Sequence, residues 1–583
     1  MTRTWLLWAA PFLLRAQVDV LTQHNDARRS GGNSRETLLN VPEVAARFGR
    51  LWRLPADGQV AAQPLYVSGL KSQKRPKGSN AVIFATMNNS VYAYEADRRP
   101  SASDDTLLWV RRLGSPQPNF EGQRNFDVFY TNDPAWGVLS TPVIDKAAGT
   151  LYLIAWHAEN GGTFRLHALR LSDGSDAAPS RVIEASDGRK RLDPARQKQR
   201  TGLLLVDGVL YFGFASAHEN EARAASGWVL AYRAKTLEQL AAWCSTPAGS
   251  NGGVWASGQG LAADPAGNIY VATGNGTFEG KRNYGGSVVR LRLETAGARA
   301  VLRVKDFFTP CGQEILDARD LDLGSSGPVL FGSATDLLAA GKQGRLYHMK
   351  AARLGGYKAP AEPTLECADG AAVLGEIQAA RGHIYGSPIH WEGANHPWVY
   401  VWGVGGKLNA YPLGNGRIRE AGVKSSDFDL AAQPARFGKL DAKDPCVHNA
   451  ENDAWMPGGV LSVSSNGRHA GTGIVWALVP ADGDANRCRG VKGMLMAFDA
   501  DDVGRELWRS QSRDASNSDG PDSYGLLARF VPPTVAGGKV FVATFGDREP
   551  RRFYYAQNRP KAHYPPQSGD APRNYYVAVY GLK

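Results

Sequence analysis

His448, Glu451 and Asp453 stand close together in VHNAENDAW, and one nitrogen with two oxygen donors suits a metal ion. The same composition also describes a solvated loop. Five cysteines, Cys244, Cys311, Cys367, Cys446 and Cys488, form no CxxC pair. That excludes a zinc ribbon, a thioredoxin-type redox motif and a c-type haem attachment site. In an exported chain they permit one or two disulfides and leave at least one thiol over. No GxSxG elbow is present for a serine hydrolase, and no glycine-rich loop follows a strand and opens a helix to cradle phosphate. His24 and Asp26, in TQHND, suit the docking of an N-terminal strand.

The elements that must position any site come from a repeat. A unit of three short apolar strands recurs, broken at Gly, Pro, Asn or Asp, and several copies end in a Trp such as Trp109, Trp243 or Trp508. Eight copies span the chain. Their middle strands centre on Phe84, Tyr152, Tyr211, Tyr270, Leu338, Tyr400, Val475 and Phe541, at intervals of 59 to 75 residues. No long helical period intervenes. Repeated short antiparallel sheets predict an all-β, eight-bladed β-propeller over residues 17–583. Two stacked sandwiches are the competing arrangement. The last unit has three strands and no fourth, whereas Phe48–Leu54 (FGRLWRL) resembles an outer strand standing ahead of the first complete unit. The N-terminal strand is therefore expected to complete the last blade and remove both sheet edges. Long connections are expected at 98–106, 113–136, 175–198, 353–383, 414–455 and 547–573.

Arg3 followed by the apolar stretch Trp5–Leu14 reads as a signal peptide over residues 1–16, with cleavage after Ala16. Leu14 is large for the minus-three position, and the stretch would also suit a buried helix. The chain is expected to be periplasmic or secreted, with no membrane span. A hydrophobic fraction of 43% against 21% charged residues excludes a disordered chain. The net charge of +11 suits an anionic polymer or partner. No basic run or recognition motif points to nucleic acid.

The unit endings AFDADDVGRELW (497–508) and AYRAKTLEQLAAW (231–243) resemble the tryptophan-docking repeat of the quinoprotein family, eight-bladed propellers that bind pyrroloquinoline quinone. The opening VLTQHNDARRSGGN, with FGRLWRLPADGQVAAQPLYV, is similar to secreted bacterial propellers of the quinoprotein-like branch. The resemblance covers nearly the whole chain. It implies a site built across successive blades. Trp255, in GGVWASGQG, matches the aromatic floor under the quinone. Asn275, in ATGNG, lies 20 residues on and matches a calcium ligand. A flat ring can stack on a flat quinone, and an amide oxygen is a hard donor for calcium. Glu219, with Glu221 in reserve, offers the carboxylate ligand from the preceding blade. Asp322, with Asp320 nearby, matches the metal-bound catalytic base, or alternatively an Asx turn capping the next strand. Lys342, in AAGKQGRLYHM, matches the cation that contacts the quinone oxygens, or alternatively an ordinary hairpin turn.

Departures from that pattern are specific. No two cysteines are adjacent, whereas the family's alcohol dehydrogenases carry a vicinal pair against the quinone. Leu321 stands where the family has Trp before its catalytic Asp. The resemblance implies an exported oxidoreductase acting on an alcohol, sugar or polymer hydroxyl with pyrroloquinoline quinone and calcium, and passing electrons to a separate acceptor such as a cytochrome. The alternative is a non-catalytic propeller that serves binding or envelope assembly.

Overall fold

A computed structural model describes residues 18–101, 106–118, 135–217, 224–297, 299–365, 367, 369–370, 372–433, 455–485, 491–510, 520–547 and 574–583. The leader expected over 1–16, and Glu219, Glu221, Cys446, Cys488 and the group His448, Glu451 and Asp453, lie outside these residues.

Eight antiparallel sheets follow one another along the chain, each containing one of the middle strands read from the sequence. Blade 1 runs Leu65–Leu70, Ser79–Ala85, Ser90–Glu95 and Leu107–Arg112. Blade 4 runs Ala262–Ala263, Asn268–Ala272, Val288–Ala296 and Arg299–Thr309, and blade 5 opens with Val329–Phe331 and Asp336–Ala340. First strands of neighbouring blades face each other. Ile389–Trp391 lies against Val460–Ser464, which lies against Thr534–Ala536, which lies against Leu65–Leu70. The ring closes as the sequence predicts. Phe48–Ala56 pairs antiparallel with Tyr575–Leu582 and becomes the outer strand of blade 8.

Docking tryptophans join the blades. Trp109 ends blade 1 and donates from Nε1 to the Leu171 carbonyl of blade 2 at 2.8 Å. Its ring covers Gly174, whose left-handed φ of +71° and lack of Cβ are both required, since a Cβ there would meet the indole at 2.6 Å. Burying such a ring is worth about 4 kcal/mol. Trp508 docks likewise on Phe48 and Tyr580 of blade 8, and Trp243 on Tyr284 of blade 4.

Three of the expected loops hold an outer strand; within 414–455, Lys424–Asp429 is that of blade 6. Asp176–Val182 is the outer strand of blade 2, and Val373–Gln378 that of blade 5. Both are half-exposed and carry no apolar alternation, so their pattern matches that of a loop.

The N-terminal segment does more than the sequence suggested, because it laces the inside of the ring. Val20 pairs with Tyr66 of blade 1, and the Leu21 carbonyl accepts from Ile144 of blade 2. Thr22 bonds Leu203 at the entry to blade 3. The Ala27, Arg28, Ser30 and Gly31 carbonyls accept in turn from Ala263, Leu330, His390 and Val463 of blades 4 to 7. Asn33 reaches Val535 of blade 8. Arg29, 1% exposed, points to the Leu203, Leu261 and Gln23 carbonyls and the Thr22 hydroxyl. His24 and Asp26 belong to this lacing. The His24 backbone N–H donates to Gln63, and Asp26 accepts from Ser30 and Arg28.

Candidate functional site

Trp255 and Asp322 sit in the connections that enter the first strands of blades 4 and 5. Asn275 and Lys342 sit in the connections between second and third strands of the same blades. In an antiparallel blade both kinds of connection emerge at the same sheet edge. The topology alone therefore brings the four residues to one mouth of the ring.

Glycines let the two blades touch there. A Cβ on Gly324 would stand 2.3 Å from the Gly274 nitrogen, and one on Gly341 would stand 2.7 Å from the Asp322 carbonyl. The Lys342 N–H donates to that carbonyl at 3.0 Å. Backbone strain is concentrated beside the tryptophan. Ala256 and Ser257 both adopt left-handed φ, +43° and +47°, which costs of order 1 kcal/mol or more at non-glycine residues. Ser257 Oγ bonds the Ser325 carbonyl at 2.5 Å and ties this turn to the Asp322 turn.

The side chains meet directly. Trp255 Nε1 donates to Asp322 Oδ2 at 3.3 Å. Lys342 Nζ lies 2.9 Å from Asp322 Oδ1 and 2.6 Å from Asp320 Oδ1, and 5.9 Å from the Trp255 ring. Asn275 Nδ2 donates to Asp320 Oδ1 at 2.6 Å. The Asp322 side chain is fully buried, and that of Lys342 is 8% exposed. The Asp322 carboxylate makes no turn-capping bond, which removes the Asx-turn reading. Lys342 does occupy a hairpin turn, yet its ammonium turns inward. A buried ion pair is poorly repaid for its desolvation, so such a pair is retained at a cost in stability.

Asp317, which the sequence reading did not single out, accepts from the Gly276 N–H at 2.6 Å. Burial raises its carboxyl pKa, and the neighbouring Asp322 and Asp320 charges add to the rise. Tyr385 and Phe530 also went unread. Both rings stand edge-on to Trp255, at 6.2 and 6.3 Å. Arg200 lies over Phe530 at 5.2 Å, and His383 Nδ1 lies 3.1 Å from the Tyr385 hydroxyl. One signal would have found them. Arg200, Tyr385 and Phe530 each stand just before the first strand of a blade, as Trp255 and Asp322 do.

The donor set suits a hard cation beside a flat ring. Asn275 is 5% exposed, and its Oδ1 is buried with no hydrogen-bond partner. A carboxylate can only accept, so the amide must turn its NH2 to Asp320 and its oxygen away. An orphaned buried amide oxygen is what a hard cation such as calcium would satisfy. Among the described residues no three His, Cys, Asp or Glu side chains converge as a complete metal cage. The Glu219 expected to add a ligand is outside them.

No protein-family model matches the chain, and no curated protein matches it in sequence. Solved structures do share its fold. A quinohemoprotein alcohol dehydrogenase from Pseudomonas putida superposes with a TM-score of 0.53 at 14% identity, over 97% of this chain and 80% of its own. One from Comamonas testosteroni gives 0.50 at 14%, over the same shares. A europium-containing methanol dehydrogenase gives 0.52 at 14%, over 97% of this chain and 98% of its own. The chain is thus an eight-bladed β-propeller similar in fold to the quinoprotein alcohol and methanol dehydrogenases.

Proposed function

We propose that the chain is an exported quinoprotein-type oxidoreductase that oxidises an alcohol, sugar or polymer hydroxyl at the mouth formed by blades 4 and 5. The observation that carries this is the contact of Trp255, Asp322 and Lys342, with Asn275, whose oxygen is unsatisfied, joined to Lys342 through Asp320. Asn275 Oδ1 and the Asp322 carboxylate, with Glu219, would hold calcium, and Trp255 would carry pyrroloquinoline quinone. The quinone, when bound, supplies the two-electron acceptor that no side chain provides. Asp322 takes the hydroxyl proton of the substrate. The Trp255 N–H and the Lys342 ammonium orient its carboxylate. Lys342 would also supply a positive charge toward an acceptor held on Trp255. Burial strengthens both effects, because little water screens them.

Export is supported by the apolar stretch Trp5–Leu14 and by the disulfide Cys311–Cys367. Among the described residues no helix is long and apolar enough to cross a membrane. A separate acceptor such as a cytochrome would take the electrons on from the quinone.

One observation favours the alternative of a non-catalytic binding or assembly propeller. Trp255 is only 8% exposed and is enclosed by Tyr385 and Phe530, so a ligand would need these rings to give way. Calorimetric titration of pyrroloquinoline quinone into chelator-treated protein, with and without calcium, separates the two. The enzyme reading predicts one-to-one, calcium-dependent binding that Asn275→Ala abolishes. No binding at high micromolar quinone would sink it and leave the binding propeller.

A further inference from the structure

We infer that Asp320 is a positioning residue that orients both the metal-facing amide of Asn275 and the ammonium of Lys342. This rests on the reading above. One oxygen, Asp320 Oδ1, receives Asn275 Nδ2 at 2.6 Å and Lys342 Nζ at 2.6 Å. An amide can turn end for end, and its two ends differ in charge. With NH2 bound to Asp320, the Asn275 oxygen faces the place of the cation. Released from Asp320, the amide is free to present its NH2 there instead, which repels a cation. The second contact draws Lys342 partly away from Asp322, so the ammonium is shared between two carboxylates instead of neutralising the base alone.

The backbone adds an independent observation. Asp320 adopts φ +56°, in the left-handed region, at the turn that follows the short helix Gln313–Ala318. Glycine is the residue that this conformation favours, and a side chain kept there at a cost points to work done by the side chain. Its side chain is 52% exposed, so that work is not packing.

The conformation also supplies a clean test. Asp320→Gly removes both contacts and relieves the strained φ, so a merely structural role and a positioning role predict different results. Calcium is titrated calorimetrically into the purified chain saturated with quinone, and thermal melting is recorded without ligand. The positioning role predicts a ten- to hundredfold loss of calcium affinity in Asp320→Gly. It also predicts an unchanged melting temperature and a smaller loss in Asp320→Asn, which keeps one acceptor oxygen. Wild-type calcium affinity in Asp320→Gly overturns the inference, and so does a fall in melting temperature that accounts for the loss. If the unaltered chain shows no calcium-dependent quinone binding, the enzyme reading itself fails and the positioning role falls with it.

Discussion

Acidification should begin to destabilise this propeller well above the pH at which ordinary carboxylates titrate. Burial, with the Arg29 charge next in size, lowers the pKa of His24 to about 3. Burial and the charge of His157 lower that of His167 to about 3, and burial followed by the Arg28 charge lowers that of His390 to about 4. His157 is lowered as well, chiefly by burial, and meets His167 Nε2 to Nε2 at 3.1 Å. One of that pair donates to the other, and two protonated rings at this distance would repel. In the unfolded chain all four titrate near 6.5. Below that value the unfolded state binds the protons and the folded state does not, so stability is full above about 6.5 and falls with pH. Asp369 opposes this, because burial raises it to about 6 and the folded state takes up its proton first. Asp317 and Asp499 are raised too, in the same opposing sense. The balance near pH 5 is about two to three protons taken up on unfolding, or about 3–4 kcal/mol per pH unit. A stability of about 5–15 kcal/mol would be consumed within a few units. Urea unfolding followed by tryptophan fluorescence from pH 7.5 to 4.5 measures this, and His167→Gln should flatten the slope by about one proton. An unfolding free energy that stays level between pH 7 and 5 would refute the reasoning.

Further outcomes follow from the site and the scaffold. Asp322→Asn should weaken calcium-dependent quinone binding, because a neutral amide replaces a carboxylate ligand, and dye-linked alcohol oxidation at saturating calcium and quinone should still fall about 10²–10⁴-fold, the usual worth of a general base. Arg29→Met should strip several buried acceptors of their donor and lower the unfolding free energy by about 3–5 kcal/mol, read from urea midpoints, because the lacing of the ring depends on that guanidinium. Reducing Cys311–Cys367, which spans 56 residues, should cost about 4 kcal/mol and appear as a lower melting temperature in reductant.

Much of the architecture was legible because inner strands must be apolar and their turns must carry Gly, Asn or Asp. Tyr211 and Phe541 marked second strands for that reason, and FGRLWRL marked the closing strand by its lack of a preceding partner. Outer strands without a tryptophan were not legible. Asp176–Val182 is wetted along most of its length, and nothing in its pattern distinguishes it from a loop. The lacing by residues 18–36 was equally silent, since it uses carbonyls and N–H groups that every residue carries. Trp255, Asn275, Asp322 and Lys342 could be named from the family resemblance; in the structure Trp255, Asp322 and Lys342 are in contact, and Asn275 is joined to Lys342 through Asp320. Tyr385 and Phe530 could not be named, because apolar aromatics before a strand look like core. Asp320 was visible only as a neighbour of Asp322, because its left-handed backbone and doubly used oxygen exist only in the folded turn.

The central claim is that a quinone lies on Trp255 with a cation held by Asn275 and Asp322. A crystal structure of the chain with pyrroloquinoline quinone and calcium tests it most directly. The account predicts the quinone stacked on the Trp255 ring, Tyr385 or Phe530 moved aside, and calcium about 2.3–2.6 Å from Asn275 Oδ1 and an Asp322 oxygen. An empty mouth with the Lys342–Asp322 pair unchanged, or a quinone bound elsewhere on the ring, would contradict it.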